Sequence, residues 1–291
     1  MKKFIKTYYN INVEKIYKNK NNYFFYSGND LIYIIKTDKN KEELDNLVNI
    51  SNSIYHKNNN TSTFLLNKEG NYYTKYDGNY LVLLKYNDII KDRIEFNDIF
   101  YYHIENNLLL NYDILNHFKN QIDVLEKEIQ EYNKEHSLIQ KSIDYFIGIS
   151  ENAIQLLSDI NINYDSICHN IGLTNYNKVE YNNPFNYIKA NIMYDYANYF
   201  KYKFYYETIN YDELYYLIKN SNINDLILFF GLMLYQEEYF NLVKQILLDK
   251  QNEEDLNIYI NHISDYKELL LYIKDSIRNV DKIREIEWLD K

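Results

Sequence analysis

The chain has 291 residues, enough for one large domain or two lobes with real cores, and its 46% hydrophobic and 25% charged content is that of a globular protein. A formal net charge of −10 argues against a nucleic-acid partner, which needs a broad basic face, and against docking on anionic lipid. The unusual features are 35 Tyr, 6 Gly and 1 Pro, with a surplus of Asn, Ile and Lys. The favoured residues share AT-rich codons, so Tyr is expected to replace Phe and Leu in the core, as a large apolar ring with a polar tip.

The opening Met1-Lys2-Lys3-Phe4-Ile5-Lys6 has charge but no apolar run of the secretory kind. The longest apolar run, near residues 226–235, is too short to span a bilayer. Both point to a cytoplasmic protein with no membrane partner. Strand signals then dominate residues 1–85. Val13 to Tyr17 is read as a first strand. Tyr23-Phe24-Phe25-Tyr26 and Leu31-Ile32-Tyr33-Ile34-Ile35 flank the turn cluster Ser27-Gly28-Asn29-Asp30 and predict a hairpin, closed by Lys36. Asn40 with Glu43 three residues on predicts a capped helix carrying Leu44, Leu47, Val48, Ile54 and Tyr55 at helical spacing. Two further hairpin turns are expected, at Lys68-Glu69-Gly70-Asn71 and at Asp77-Gly78.

Tyr86-Asn87-Asp88 reads as a hinge, and residues 86–291 read as mainly helical. Ile114 or Leu115, Phe118, Ile122, Leu125, Ile129 and Tyr132 form a narrow apolar stripe. It would serve an antiparallel pairing with the next helix, after a break at residues 133–137, or a coiled-coil dimer. Residues 143–157 predict an apolar helix in which Gly148 permits close packing. Further helices are expected over 212–219, 224–235, 239–248, 255–263 and 266–277. Ile286-Glu287-Trp288-Leu289 reads as an apolar plug on the large lobe. The expected domains are therefore 1–85 and 86–291.

One cysteine, Cys168, excludes an internal disulfide. Its neighbour His169 is read as part of a buried strand end, since adjacent residues rarely aim at one reaction centre. The six histidines show no ligand spacing, so no metal site is indicated.

Residues 166–207 carry the outline of a known catalytic centre. They include Ser166-Ile167-Cys168-His169-Asn170-Ile171-Gly172, then Asn183-Pro184-Phe185-Asn186-Tyr187-Ile188-Lys189-Ala190, then Tyr194-Asp195-Tyr196-Ala197. With residues 145–154, Gly231-Leu232-Met233-Leu234-Tyr235, Tyr239-Phe240 and Glu285-Ile286-Glu287-Trp288, the chain resembles the aminoglycoside-phosphotransferase and choline-kinase-like family. It is most similar to its spore-coat-kinase-like branch in low-GC Gram-positive bacteria. The resemblance implies an α+β, two-lobed protein-kinase-like fold: a small antiparallel-sheet lobe with one helix, and a large mainly helical lobe.

That family uses a His-Gly-Asp-x-x-x-x-Asn loop and a strand ending in a metal-binding Asp. Aligned on His169, the loop Asp falls on Ile171 and the Asn on Tyr176, with Asn175 one position early. The strand Asp falls at or beside Lys189-Ala190. The parts that hold magnesium and accept a proton are thus replaced. The family's phosphate-binding lysine and its helix glutamate correspond by position to Lys36 and Glu43, with Glu42 the competitor. No Gly-rich loop precedes them, since the first hairpin, residues 18–22, has no glycine. Asp195 fits an Asp that braces the loop. The resemblance thus leaves Lys36, Glu43, Asn175 and Asp195 as cofactor-binding candidates, and no catalytic or metal residue. It implies a pseudokinase with no cofactor and a protein partner of unknown identity. The alternatives are an active small-molecule phosphotransferase with non-standard residues, or a module that binds a nucleotide, ATP weakly or without Mg2+, or a small molecule in the interlobe cleft.

Overall fold

The computed structural model describes residues 1–19, 22–58, 61–86, 93–103, 107–131, 137–277, 286 and 289. Part of the first hairpin turn, the expected hinge at Asn87-Asp88, Tyr132 with most of the break after it, and Trp288 lie outside the described residues. The chain forms two compact units: residues 1–110 with 165–171 and 175–189, and residues 111–164 with 172–174 and 190–291. A single cut at residue 85 does not describe them. Segments 165–171 and 175–189 cluster with the sheet because buried side-chain bonds tie them to it, as shown below.

The first unit opens with α1 (Lys2–Tyr9), followed by β1 (Tyr17–Asn19), β2 (Asn22–Ser27), β3 (Asp30–Thr37), α2 (Lys41–Asn58), β4 (Thr63–Phe64), β5 (Tyr73–Tyr76), β6 (Asn79–Tyr86) and α3 (Phe96–Phe100). The strands form one antiparallel sheet in the order β1-β2-β3-β6-β4, with β5 also on β6. Alternation along the strands sorts the two faces. Phe25, Ile32, Ile34, Leu81 and Leu83 meet Ile5 and Tyr9 of α1. Tyr33, Phe64, Val82, Leu84 and Tyr86 meet Leu44, Leu47 and Val48 of α2.

The Asp77-Gly78 turn forms, with both residues at positive φ (51° and 79°), the backbone that a two-residue hairpin requires. The helix cap forms: the Asn40 side chain accepts from Glu43 N–H, and Glu43 Oε2 accepts from Asn40 N–H at 2.9 Å. The hairpin expected around residues 68–71 does not. β4 and β5 both pair with β6 and run in the same direction along its edge. The chain between them loops out and returns, pinned by buried Asn67. Its Oδ1 accepts from Glu69 and Asn71 N–H, and its Nδ2 donates to Thr74 Oγ1. The first strand also starts later than expected, at Tyr17. What precedes it is α1, whose Ile5 and Tyr9, four residues apart, cover the sheet face opposite α2.

The second unit holds α4 (Ile114–Glu131) and α5 (Ser137–Ser158). Between these and the later helices the chain supplies β7 (Ser166–His169), a 3-10 turn η1 (Leu173–Asn175), α6 (Lys178–Tyr181), a 3-10 turn η2 (Pro184–Asn186) and β8 (Tyr187–Ala190). Then come α7 (Met193–Tyr206), α8 (Tyr211–Asn220), α9 (Ile223–Leu234), α10 (Glu237–Leu247), η3 (Glu253–Leu256), α11 (Asn257–Ile260) and α12 (Ile263–Ser276). α4 packs on α5 and α10. From Leu226 to Leu234 every residue of α9 is buried, as its apolar surface on all sides demands.

Tyrosine fills this core as expected. Tyr235 stacks on Phe118 at 3.5 Å while its hydroxyl donates to Phe118 C=O and Gln121 Oε1. Tyr239 stacks on Phe146 and bonds Ser142. Tyr266 donates to Met233 C=O. The close approach expected at Gly148 lies elsewhere. A Cβ on Gly148 would meet nothing within 4 Å, whereas one on Gly231 would lie 2.6 Å from Leu157 Cδ2. Gly231 is thus the residue that lets α9 seat on α5. Ile286 and Leu289 are buried, as expected for the plug.

Candidate functional site

The stretch in which a phosphotransferase would carry its reactive groups begins with β7. All four of its residues are buried, Cys168 included. His169 is 1% exposed and lies in a box of rings. Tyr181 stacks on it at 3.6 Å, and Tyr102 and Tyr187 present edges at 4.5 and 5.2 Å. The polar tips of the box are tied in. Tyr102 OH donates to Asn182 Oδ1, Tyr187 OH bonds Thr61 Oγ1 at 2.9 Å, and Ser62 Oγ donates to Asn182 C=O. Burial holds the Tyr102 and Tyr187 phenols well above their ordinary pKa, so both stay neutral donors. This network joins β7, α6 and β8 to the end of α2 and the start of β4.

The face of the sheet opposite α1 is correspondingly full. Phe24 stacks on Tyr33 at 5.5 Å, Tyr33 meets Tyr86 edge-on, and Phe185 of η2 lies 6.3 Å from Phe64. Val179 of α6 and Phe185 pack on the same cluster as Leu84 and Tyr86.

The positions that the resemblance singled out are placed as follows. Ile171 and Tyr176 are buried. Ala190 is fully buried, and Lys189 Nζ donates to Asn107 Oδ1 at 3.3 Å. Lys36 is opposite Leu81 in the register, on the α1 face of the sheet, whereas α2 with Glu43 packs on the other face. Lys36 Nζ pairs instead with Asp77 Oδ2 at 3.2 Å, and Glu43 is engaged in its helix cap and with Lys39. The structure thus does not bring Lys36 and Glu43 together. Glu42 is exposed in the first turn of α2. Asn175 ends η1, with its C=O accepting from Asn177 Nδ2. Asp195 lies buried in the first turn of α7, where the helix dipole favours a carboxylate; the Tyr194 and Tyr196 phenols beside it are raised mainly by burial, with a smaller contribution from its charge. Lys36, Glu43 and Asn175 belong to the first unit and Asp195 to the second.

Sequence reasoning passed over a second set of groups, all in the helical unit. Glu238 of α10 accepts from Leu173 N–H and from Asn241, and burial, with Glu237 beside it, pushes its carboxyl up to about 7. Lys201 of α7 is buried, donates to Tyr235 C=O, and is lowered to about 8 by loss of solvent. His117 Nε2 bonds Glu237 Oε1 at 2.9 Å, which raises the imidazole. Two acids at the start of a helix are ordinary in a sequence, so nothing in the linear pattern marks Glu238 as buried. Among the described residues no cluster of His, Cys, Asp and Glu could hold a metal ion, and no helix is long and apolar enough to cross a membrane.

A sheet with a capped helix on one face, followed by a two-stranded β7–β8 ribbon and a mainly helical unit, defines the protein-kinase-like fold of aminoglycoside phosphotransferases. An aminoglycoside phosphotransferase from Alicyclobacillus acidocaldarius shares it with a TM-score of 0.70 and 7% identity, over 95% of this chain and 96% of that one. The spectinomycin phosphotransferase solved with ADP and spectinomycin aligns at 0.60 and 10% identity, over 97% of each chain. Its AMP-bound complex aligns at 0.59 and 11%, over 96% of this chain and 97% of that one. Residues 2–98 match the family described as "Spore coat putative kinase YutH". That segment is the sheet-bearing first third of the chain. No curated protein matches the sequence significantly.

Proposed function

We propose that this chain is a catalytically silent kinase-shaped protein that works by binding, as a structural or regulatory partner of another protein. The observation that carries the reading is the chemistry of the reactive stretch. Phosphoryl transfer needs one carboxylate to take the hydroxyl proton and another to hold magnesium. The corresponding positions here are a buried isoleucine, Ile171, and Lys189-Ala190, a cation beside a methyl group. Magnesium prefers carboxylate oxygens, and a lysine ammonium repels it. The neighbouring His169 is locked among rings rather than aimed at a reacting atom. The aromatic filling of the sheet supports the same reading. The spore-coat family match of residues 2–98 favours a protein assembly as the setting, with synthesis in the cytoplasm.

The test is thermal denaturation with ATP, with and without Mg2+, alongside a labelled-phosphate transfer assay. An active enzyme at a hundredfold excess of nucleotide over its Kd gains about 2.7 kcal/mol of stability. The expected result is no Mg2+-dependent shift and no transfer to water or to small hydroxyl acceptors. Stabilisation by ATP alone, without transfer, would make the chain a nucleotide-binding module. Transfer to any acceptor would overturn the reading.

A further inference from the structure

Each unit carries one exposed surface on which tyrosine rings stand uncovered, and the two surfaces have opposite charge. The first is built from α1 and β1. Residues 1–19 hold Lys2, Lys3, Lys6, Lys15 and Lys18 against a single acid, Glu14, in a chain whose net charge is −10. Lys2 Nζ donates to Glu14 C=O, which ties the start of α1 to the segment entering β1 and gathers these lysines on one surface. All five are exposed, and among the described residues Lys3, Lys6, Lys15 and Lys18 have no carboxylate partner. Lys15 Nζ lies 4.9 Å from the centre of the exposed Tyr17 ring, and Lys18 Nζ 5.9 Å from that of Tyr23.

The second surface is built from α8 and α12. Tyr211, Tyr215 and Tyr216 of α8 are each more than half exposed, and Tyr272 of α12 meets Tyr211 edge-on at 5.4 Å. Beside them a groove of about 580 Å3 is lined by Tyr215, Ile218, Ile223 and Leu226. Glu268 and Asp275 stand four residues before and three after Tyr272, so one face of α12 carries all three. Both acids are exposed, as is Asp212 of α8, and among the described residues none of the three has an ion-pair partner. Lys219 Nζ, 6.0 Å from the Tyr215 ring centre, is a cation already drawn to these rings.

Uncovered tyrosines around an apolar groove have the composition of a protein-binding patch. Its charge selects the occupant. Rings and carboxylates together favour ammonium groups, and the chain presents such groups, unpaired, on its own first surface. The same lysines bar two β1 edges from pairing with each other, because like charges would face across the join. A nucleic acid or an anionic membrane meets a net charge of −10 at longer range.

We propose that the α8–α12 tyrosine face of one copy docks the α1–β1 lysine face of a second copy, so that the chain self-associates through two different surfaces. The contact is heterologous, and every copy brings one surface of each kind. The proposal goes beyond the silent-kinase reading and does not rest on it. A chain that transferred phosphate would associate in the same way, and failure here leaves the outcome of the ATP experiment untouched.

The test is analytical ultracentrifugation of the full chain across the micromolar range. The average mass is expected to rise with concentration. Association should weaken at least about tenfold between about 0.1 and 1 M salt, where the screening length falls from about 10 to 3 Å. Lys3→Glu combined with Lys6→Glu and Lys18→Glu should abolish it. Lys119→Glu with Lys127→Glu and Lys141→Glu, at exposed positions of α4 and α5, gives the same net charge and should retain most of it. Glu268→Lys with Asp275→Lys should abolish association too. Mixing that variant with the first should restore a complex of two chains, since each supplies the surface that the other lacks. Tyr216→Ser changes no charge and should weaken association about tenfold. All these side chains are exposed, so the variants keep the fold, which their melting temperatures check. The proposal is overturned if the parent stays monomeric, if the two reversed variants fail to complement each other, or if Tyr216→Ser has no effect. Equal damage from the distant lysine reversal would also overturn it, since general repulsion would then explain the loss. A monomeric parent that pellets with phosphatidylserine vesicles would assign the lysine face to lipid and overturn it as well.

Discussion

Within the sheet-bearing unit, His169 is enclosed by the rings of Tyr102, Tyr181 and Tyr187, and the Tyr102 and Tyr187 hydroxyls bond Asn182 and Thr61; within the helical unit, Glu238 is packed under the loop before η1 and its carboxyl is raised by burial. Both side chains are withdrawn from water, with different consequences. The ring box, closely packed and bonded at Tyr102 and Tyr187, contributes chiefly to stability. A carboxyl raised to about 7 by burial and by the neighbouring Glu237 keeps a proton equilibrium near neutral pH. Burial alone therefore does not separate a core from a site.

The largest expected effect breaks or confirms the first half of this contrast. Tyr181→Ala removes the ring stacked on His169 and should cost about 3–5 kcal/mol, as aromatic-to-alanine core changes do. Urea denaturation measures it, and a loss well under 1 kcal/mol would mean that the box is not core.

The second half is tested by pH. A Glu238 carboxyl raised from 4.5 to about 7 binds its proton more tightly in the folded than in the unfolded chain. Its contribution to stability is complete below pH 4.5 and is lost as pH rises to about 7, a fall of at most roughly 3 kcal/mol. Glu238→Gln lacks that fall. The melting temperature of the variant relative to the parent should therefore be higher at pH 8 than at pH 5. Lys201 has the opposite sign: with its pKa lowered from 10.5 to about 8, its contribution is absent below pH 8 and grows toward pH 10.5.

Two helix glycines differ in what surrounds them. Gly231→Ala forces a methyl against Leu157 and should destabilise by about 1–3 kcal/mol. Gly148→Ala, in open space on α5, should stabilise by about 1 kcal/mol at most. Finally, Asn40→Ala removes one half of the α2 cap and should cost about 1 kcal/mol, read as a lower denaturation midpoint.

Much of the fold was legible because it rests on local rules. The Asp77-Gly78 turn, the Asn40–Glu43 cap, the β2–β3 hairpin and the helical spacing of α4 each follow from a few adjacent residues. The failures share one cause, dependence on a distant neighbour. Gly148 and Gly231 look alike in a helix, and only Leu157 tells them apart. The turn at residues 68–71 looked like a hairpin, yet both flanking strands pair with β6. Lys36 ends a strand as expected, but α1, unseen in the sequence, defines the face on which it lies.

Element order and residue identity are linear properties, so the two-lobed kinase-like fold and the absence of a carboxylate at Ile171, Lys189 and Ala190 could be read from the chain alone. Folding was needed to show which rings enclose His169, whose burial the strand pattern had indicated, and that Glu238 borders a cavity with its carboxyl raised to about 7. Solvation is set by what folds around a group, and for Glu238 those neighbours include Leu173 and Lys201, remote in the chain and joined only by packing.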